Sequence, residues 1–179
     1  MCGGRGTRLD TETEKPLFPV GGVPMVDRVV AALADSSVDD VYAVTSPNAP
    51  ATRAHLDLPC IETAGEGYVA DLDAALADER IATPVLTVAA DLPLLDGEIL
   101  DEVLAAHDGG SLSVLVPAAR KRDLGVSDET TFTRAGRELA PTGVNVVGTD
   151  GDDAWQTVDY RVAVNVNSLA DARVAVQFL

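Results

Sequence analysis

Residues 84–90 (PVLTVAA) form an uninterrupted apolar run that stops at Asp91-Leu92-Pro93. A run this short and free of charge reads as a strand buried on both faces, the kind found in parallel sheets. Such a strand needs cover on both sides, so this one segment already selects a layered α/β architecture.

The flanking sequence agrees. Residues 24–35 (PMVDRVVAALAD) place Met25, Val26, Val29, Val30 and Leu33 on one helical stripe, with Pro in the first turn. Residues 41–45 (VYAVT) read as a strand, and Asn48 as the cap of a short helix running to about residue 56. Residues 60–63 read as a strand and 67–78 as a helix. Asp96 caps a helix carrying Ile99, Leu100, Val103 and Leu104, and 112–117 (LSVLVP) is the next strand. An irregular stretch follows to about residue 140, then strands at 144–147 and 158–166. Ser168 with Asp171 has the spacing of a capping box on the last helix. The alternation predicts a single α/β domain over residues 1–179, with a mostly parallel central sheet flanked by helices. Ligands of such sheets bind beyond the carboxyl ends of the strands. The chain opens in a glycine-rich loop with no strand before it, so the first strand is expected to be missing or truncated, with a start a few residues upstream.

Charge narrows the partners. With 13 basic and 29 acidic residues the formal net charge is −16, which repels nucleic acid and anionic membranes. No apolar run approaches the roughly 20 residues that span a bilayer, and no signal peptide is read at the N-terminus. Cys2 and Cys60 read as free thiols in a reducing cytoplasm. Only Lys15 and Lys121 are lysines, and aromatics are 4%. Abundant Asp with scarce Lys looks like the cytosolic proteome of an extreme halophile, where a Debye length of about 3 Å at molar salt screens the self-repulsion. Oligomeric state, monomer or homodimer, stays open.

Four motifs carry chemistry. Gly3-Gly4-Arg5-Gly6-Thr7-Arg8 lets backbone N–H groups approach a polyphosphate, without being a P-loop. Glu14-Lys15-Pro16-Leu17 offers a compact ammonium suited to phosphate as a point charge. Asp91, at the end of the most apolar strand, either holds Mg²⁺ through a hard carboxylate oxygen or caps the next turn. Asn165 and Asn167 in Val164-Asn165-Val166-Asn167-Ser168 share one face of a strand. The basic trio Arg120-Lys121-Arg122 is either a solvated loop or an anion contact. His55 and His107 read as surface or packing residues.

GGRGTR, then KPL, then VGGVPM opening a helix, resembles the MobA-like nucleotidyltransferases that load a nucleoside triphosphate onto a phosphorylated acceptor. Within them Thr45-Ser46-Pro47-Asn48, Gly65-Glu66-Gly67-Tyr68 with Asp71-Leu72, and Pro141-Thr142-Gly143-Val144-Asn145 look like the archaeal adenosylcobinamide-phosphate guanylyltransferases of cobalamin biosynthesis. The resemblance implies a Rossmann-like nucleotidyltransferase fold, GTP and adenosylcobinamide phosphate as substrates, and Mg²⁺ on Asp91 and Asn167. It implies nucleotide contacts from Gly3, Gly4, Arg5, Gly6, Thr7, Arg8, Lys15, Thr45, Gly65, Gly67 and Asp71, with Lys15, Arg8 and Asp91 catalytic. The acceptor for guanine's donors is left among Glu66, Asp71 and a loop carbonyl, and Tyr68 either packs on the acceptor substrate or sits in the core. Alternatives are a molybdopterin-type acceptor, or a non-catalytic GTP-binding protein of the same fold.

Overall fold

A computed structural model describes residues 1, 2, 9 and 13–179. A 3-10 turn, Lys15–Leu17, leads into the small antiparallel pair β1 (Pro19–Val20) and β2 (Val23–Pro24), turned by Gly21 and Gly22 at positive φ. Helix α1 (Met25–Ala34) follows at once; of the stripe read from its sequence it buries Met25, Val26 and Val29, adds Ala32, and leaves Val30 and Leu33 half-buried. Strand β3 (Ala43–Thr45), helix α2 (Pro50–His55) and strand β4 (Cys60–Glu62) form a parallel crossover unit. Helix α3 (Tyr68–Leu76), strand β5 (Val85–Val88), helix α4 (Gly97–Ala106) and strand β6 (Leu112–Pro117) continue the alternation.

The stretch expected to be irregular carries regular elements on either side of an irregular segment at 126–131. Helix α5 (Ala118–Leu124) ends on Gly125 in the left-handed region, and β7 (Phe132–Arg134) forms a hairpin with the long β8 (Arg137–Val147). The expected strand over 158–166 is absent: β9 (Asp153–Gln156) ends before it, and the segment holds the short helix α6 (Tyr160–Ala163) followed by residues without regular structure. Helix α7 (Leu169–Val176) closes the chain behind the Ser168/Asp171 capping box, present with both reciprocal bonds.

The α/β class holds, but the sheet is mixed rather than mostly parallel. Its strand order is β5-β8-β6-β9, and β8 runs antiparallel to both β5 and β6, while β6 and β9 are parallel. The β7–β8 hairpin sends the chain back between two strands that run the same way. Helices α1 and α4 cover this sheet, burying Val29, Ile99, Leu100 and Val103 against Val114, Val116, Val144 and Val146. At about 25 cal/mol per Å² of apolar surface removed from water, this is the main favourable term in the fold.

Where the first strand was expected to be missing or truncated, Met1 and Cys2 stand between β3 and β5. The Cys2 N–H donates to the Val44 carbonyl at 2.8 Å, the Met1 amino group donates to Val88 O at 2.8 Å, and the Met1 carbonyl accepts from Ala90 N–H. Beyond them an apolar cleft of about 410 Å³ separates the two strand edges. That cleft is why Val85 and Leu86, expected to be fully buried, are only half-buried.

Candidate active site

The carboxyl ends of β3 and β5 and the loop after β4 enclose a second cavity of about 770 Å³. Lys15, Gly65, Gly67, Asp71 and Asp91 line it together, with Glu66 and Tyr68 on the same wall.

One end is a polar cluster. Lys15 Nζ donates to Asp91 Oδ2 at 2.5 Å and to Asn167 Oδ1 at 2.7 Å, although these residues are 76 and 152 positions away along the chain. Asp91 is placed by its strand: its carbonyl accepts from Val166 N–H, which zips the end of β5 to the segment carrying the asparagines. Asn167 is placed by the capping box. The Asp171 carboxylate accepts from the N–H groups of Asn167 and Ser168 and from both hydroxyls, Ser127 and Ser168. Burial pushes the Asp171 pKa up, but these hydrogen bonds outweigh it and hold the acid below its usual range.

Lys15 is placed by Glu14. The Glu14 carboxylate accepts from the N–H groups of Ala51 and Thr52 and from the Thr52 hydroxyl at 2.6–2.8 Å. It therefore caps α2 from a distant segment, and Asn48, expected in that role, does something else. Desolvation raises the Glu14 pKa, but these bonds lower it further, to a net depression.

The opposite end is the loop after β4. Gly65 takes φ +74° and Gly67 φ +122°, conformations costly for any residue with a Cβ. Asn48 Nδ2 donates to Gly65 O, and Gly65 N–H donates to Asp71 Oδ1 at 2.9 Å. A Cβ on Gly65 would fall 2.5 Å from Asn48 Nδ2 and 3.1 Å from Ser46. Asn48 and the buried Asp71 thus clamp the loop from both sides. Tyr68 is 44% exposed, so it is not a core residue; its hydroxyl meets Thr87 Oγ1 and Asn145 Nδ2 at 3.4–3.5 Å. Thr45 is buried at the end of β3 and, among the described residues, is not part of the cavity lining. Its carbonyl accepts from Thr63, and its hydroxyl has no partner among the described residues. Gly3, Gly4, Arg5, Gly6, Thr7 and Arg8 lie outside the described residues.

The basic trio separates completely. Arg122 pairs with Asp128 and Glu138 at the surface, and Arg120 donates to Val158 O. Lys121 is only 3% exposed, so neither expectation for the trio describes it. Its ammonium donates to Ala163 O at 2.8 Å and Asn165 Oδ1 at 2.9 Å. Burial lowers its pKa, and Asp91, Asp171 and Asp128 partly restore it. Sequence reading missed Lys121 and Glu14. For Lys121 one signal was available: it shares with Lys15 the distinction of being lysine in a chain that otherwise uses arginine.

The MobA-like NTP transferase domain matches residues 1–169. The chain belongs to that family. It is a nucleotidyltransferase, and its substrate is of the nucleoside-triphosphate type. The adenosylcobinamide-phosphate guanylyltransferase of Methanocaldococcus jannaschii is 29% identical over 163 residues, 82% of this chain and 78% of that protein. The bifunctional protein GlmU of Maricaulis maris is 33% identical over 64% of this chain, which spans only 27% of its length. Among solved structures, a candidate glucose-1-phosphate thymidylyltransferase from Bacillus anthracis superposes with TM-score 0.70 over 98% of this chain and 92% of that one, at 13% identity, a likeness of fold. No helix among the described residues is long and apolar enough to cross a membrane.

Proposed function

We propose that this nucleotidyltransferase transfers GMP from GTP to adenosylcobinamide phosphate, giving adenosylcobinamide-GDP and pyrophosphate, as one cytoplasmic domain spanning residues 1–179. One cavity carries the proposal: a lysine and a carboxylate line one end, with the Asn167 amide oxygen on the same ammonium, and a loop held by glycine conformations and two polar clamps lies at the other. The relative from M. jannaschii, matched over most of both chains, supports the choice of acceptor and base.

The donor set fits a hard divalent cation. Asp91 Oδ2 and Asn167 Oδ1 both turn toward a single cationic point, now held by the Lys15 ammonium, and both are oxygen donors of the kind Mg²⁺ prefers. When bound there, Mg²⁺ would neutralise charge on the triphosphate during transfer. Among the described residues no cluster of three or more His, Cys, Asp or Glu side chains offers a rival site.

The residues then divide the work. Lys15 yields that point to the cation, turns to a phosphate and stabilises charge as the bond from the α-phosphorus to the bridging oxygen breaks. The loop of Gly65 and Gly67 offers its backbone to the base at the far end of the cavity, with Glu66 and Asp71 beside it. Tyr68 stands on the rim, where the acceptor must approach. The attacking group is a phosphate oxygen already carrying charge, so positioning suffices and no strong general base is required. Gly3 to Arg8 are proposed to hold the β- and γ-phosphates.

A product assay tests the proposal. GTP or ATP is offered with adenosylcobinamide phosphate and Mg²⁺, and pyrophosphate and nucleotidylated corrinoid are both scored. Corrinoid-GDP from GTP alone is expected. Pyrophosphate release only with a pterin phosphate acceptor, or GTP binding without turnover, would overturn the acceptor or the catalytic reading respectively.

A further inference from the structure

We propose that Lys121 is a positioning residue: through Asn165 it sets the orientation in which Asp91 presents its oxygen to the cation site. The inference rests on the reading of Asp91 and Asn167 as the cation-holding pair.

A lysine 3% exposed is expensive, because an ammonium taken out of water must be repaid by its surroundings. Here the two partners are neutral oxygens, Ala163 O and Asn165 Oδ1, rather than a carboxylate. A carboxylate partner would hold the charge better, so this arrangement is a poor way to stabilise a core. It is a good way to orient an amide. An ammonium carries only donors, so of the Asn165 amide only the oxygen can face it and accept. The amide nitrogen must then face the other way, and there it meets two acceptors: Asp91 Oδ1 at 3.0 Å and Thr142 O at 2.8 Å. With Asp91 Oδ1 engaged, the other oxygen, Oδ2, is turned to Lys15 beside Asn167 Oδ1.

Each link has its own support. The Thr142 carbonyl is aimed by an irregularity in β8: the register with β6 shifts between Ser113 and Leu115, and the Thr142 hydroxyl bridges Val114 O and Val144 N–H. The adjoining Gly143 lets β8 approach Ala89 so closely that a Cβ would fall 2.8 Å from the alanine methyl. The sequence carries the same mark. The two lysines of the chain, 106 residues apart in number, end on either side of one carboxylate: Lys15 directly on Asp91, Lys121 one amide away. Groups of this kind behind metal ligands change metal affinity about 10- to 100-fold when removed.

Mn²⁺ binding to the full chain, followed by water-proton relaxation without nucleotide, tests this alongside thermal melting. Asp91→Asn comes first: unchanged Mn²⁺ affinity there would refute the cation reading itself, whatever Lys121 does. With that affinity lost, Lys121→Met is expected to weaken Mn²⁺ binding at least tenfold, and to add less than twofold in an Asn165→Ala background. Lys121→Gln, which can turn either oxygen or nitrogen toward Asn165, serves where the methionine variant fails to fold, and is expected to weaken binding at least threefold. A lowered melting temperature with unchanged Mn²⁺ affinity in either variant makes Lys121 a structural residue only. Equal losses with and without Asn165 would show that its charge acts without the amide. Either result overturns the proposal.

Discussion

Replacing Gly65 by alanine separates the loop proposed to hold the nucleotide from the rest of the fold. Two costs follow from its geometry. Alanine at φ +74° lies in the left-handed region, at about 1 kcal/mol. The new methyl would also fall 2.5 Å from Asn48 Nδ2, so the Asn48–Gly65 hydrogen bond must break, at about 1 kcal/mol more. Together these give about 2 kcal/mol, which the loop escapes by leaving its place and must repay when nucleotide binds. The KM for GTP should therefore rise about 30-fold with kcat held within a few-fold, since a binding contact is lost rather than a transition-state one. Gly136→Ala is the control. Gly136 has φ +75° in the distant β7–β8 hairpin with open space around its Cβ position, so it suffers the same backbone strain away from the cavity. Steady-state kinetics on both variants decide. An equal effect of the two on the KM for GTP would refute the assignment of the 64–67 loop to the nucleotide.

Lys15→Ala should lower kcat/KM for GTP by at least 100-fold while moving the melting temperature by only a few degrees, because its charge is spent at the cavity; initial-rate kinetics against thermal melting check this. Arg161, 14% exposed, ties α6 to the α4 cap through Asp96, Glu98 and Asp159. Its replacement by leucine should cost about 2–3 kcal/mol, or roughly 5–10 °C in Tm, measured by circular dichroism. Glu14 has a depressed folded pKa, so its contribution is complete above the unfolded value near 4.5 and is lost as pH falls through the folded value. The stability gap between the wild type and Glu14→Gln should accordingly be constant above about pH 5.5 and close below pH 4, as followed by denaturant titration across that range.

Local signals were legible wherever they were self-contained. The helix of α1 with its buried Met25, Val26 and Val29, the Asp96 cap of α4 and the Ser168/Asp171 box each depend on residues within a few positions of one another. Lys15, Asp91 and Asn167 could be named from motifs, and they meet in space. Long-range partners were not legible. Asn48 had the right type and place to cap α2, but Glu14 reached the same N–H groups from another part of the chain. The antiparallel course of β8 depends on a hairpin whose turn, Ala135-Gly136, sits among polar residues with weak alternation. Arg120, Lys121 and Arg122 look alike in sequence; the helical turn of α5 points one inward and leaves its neighbours at the surface.

The central claim is spatial: one cavity holds the triphosphate at Lys15 and Asp91 and the base at Gly65–Tyr68. A crystal structure with Mg²⁺ and a non-hydrolysable GTP analogue tests it most directly. The account predicts the metal on Asp91 and Asn167, Lys15 moved onto a phosphate, and the purine against the loop clamped by Asn48 and Asp71. A purine bound elsewhere, or a metal held without Asp91, would contradict it.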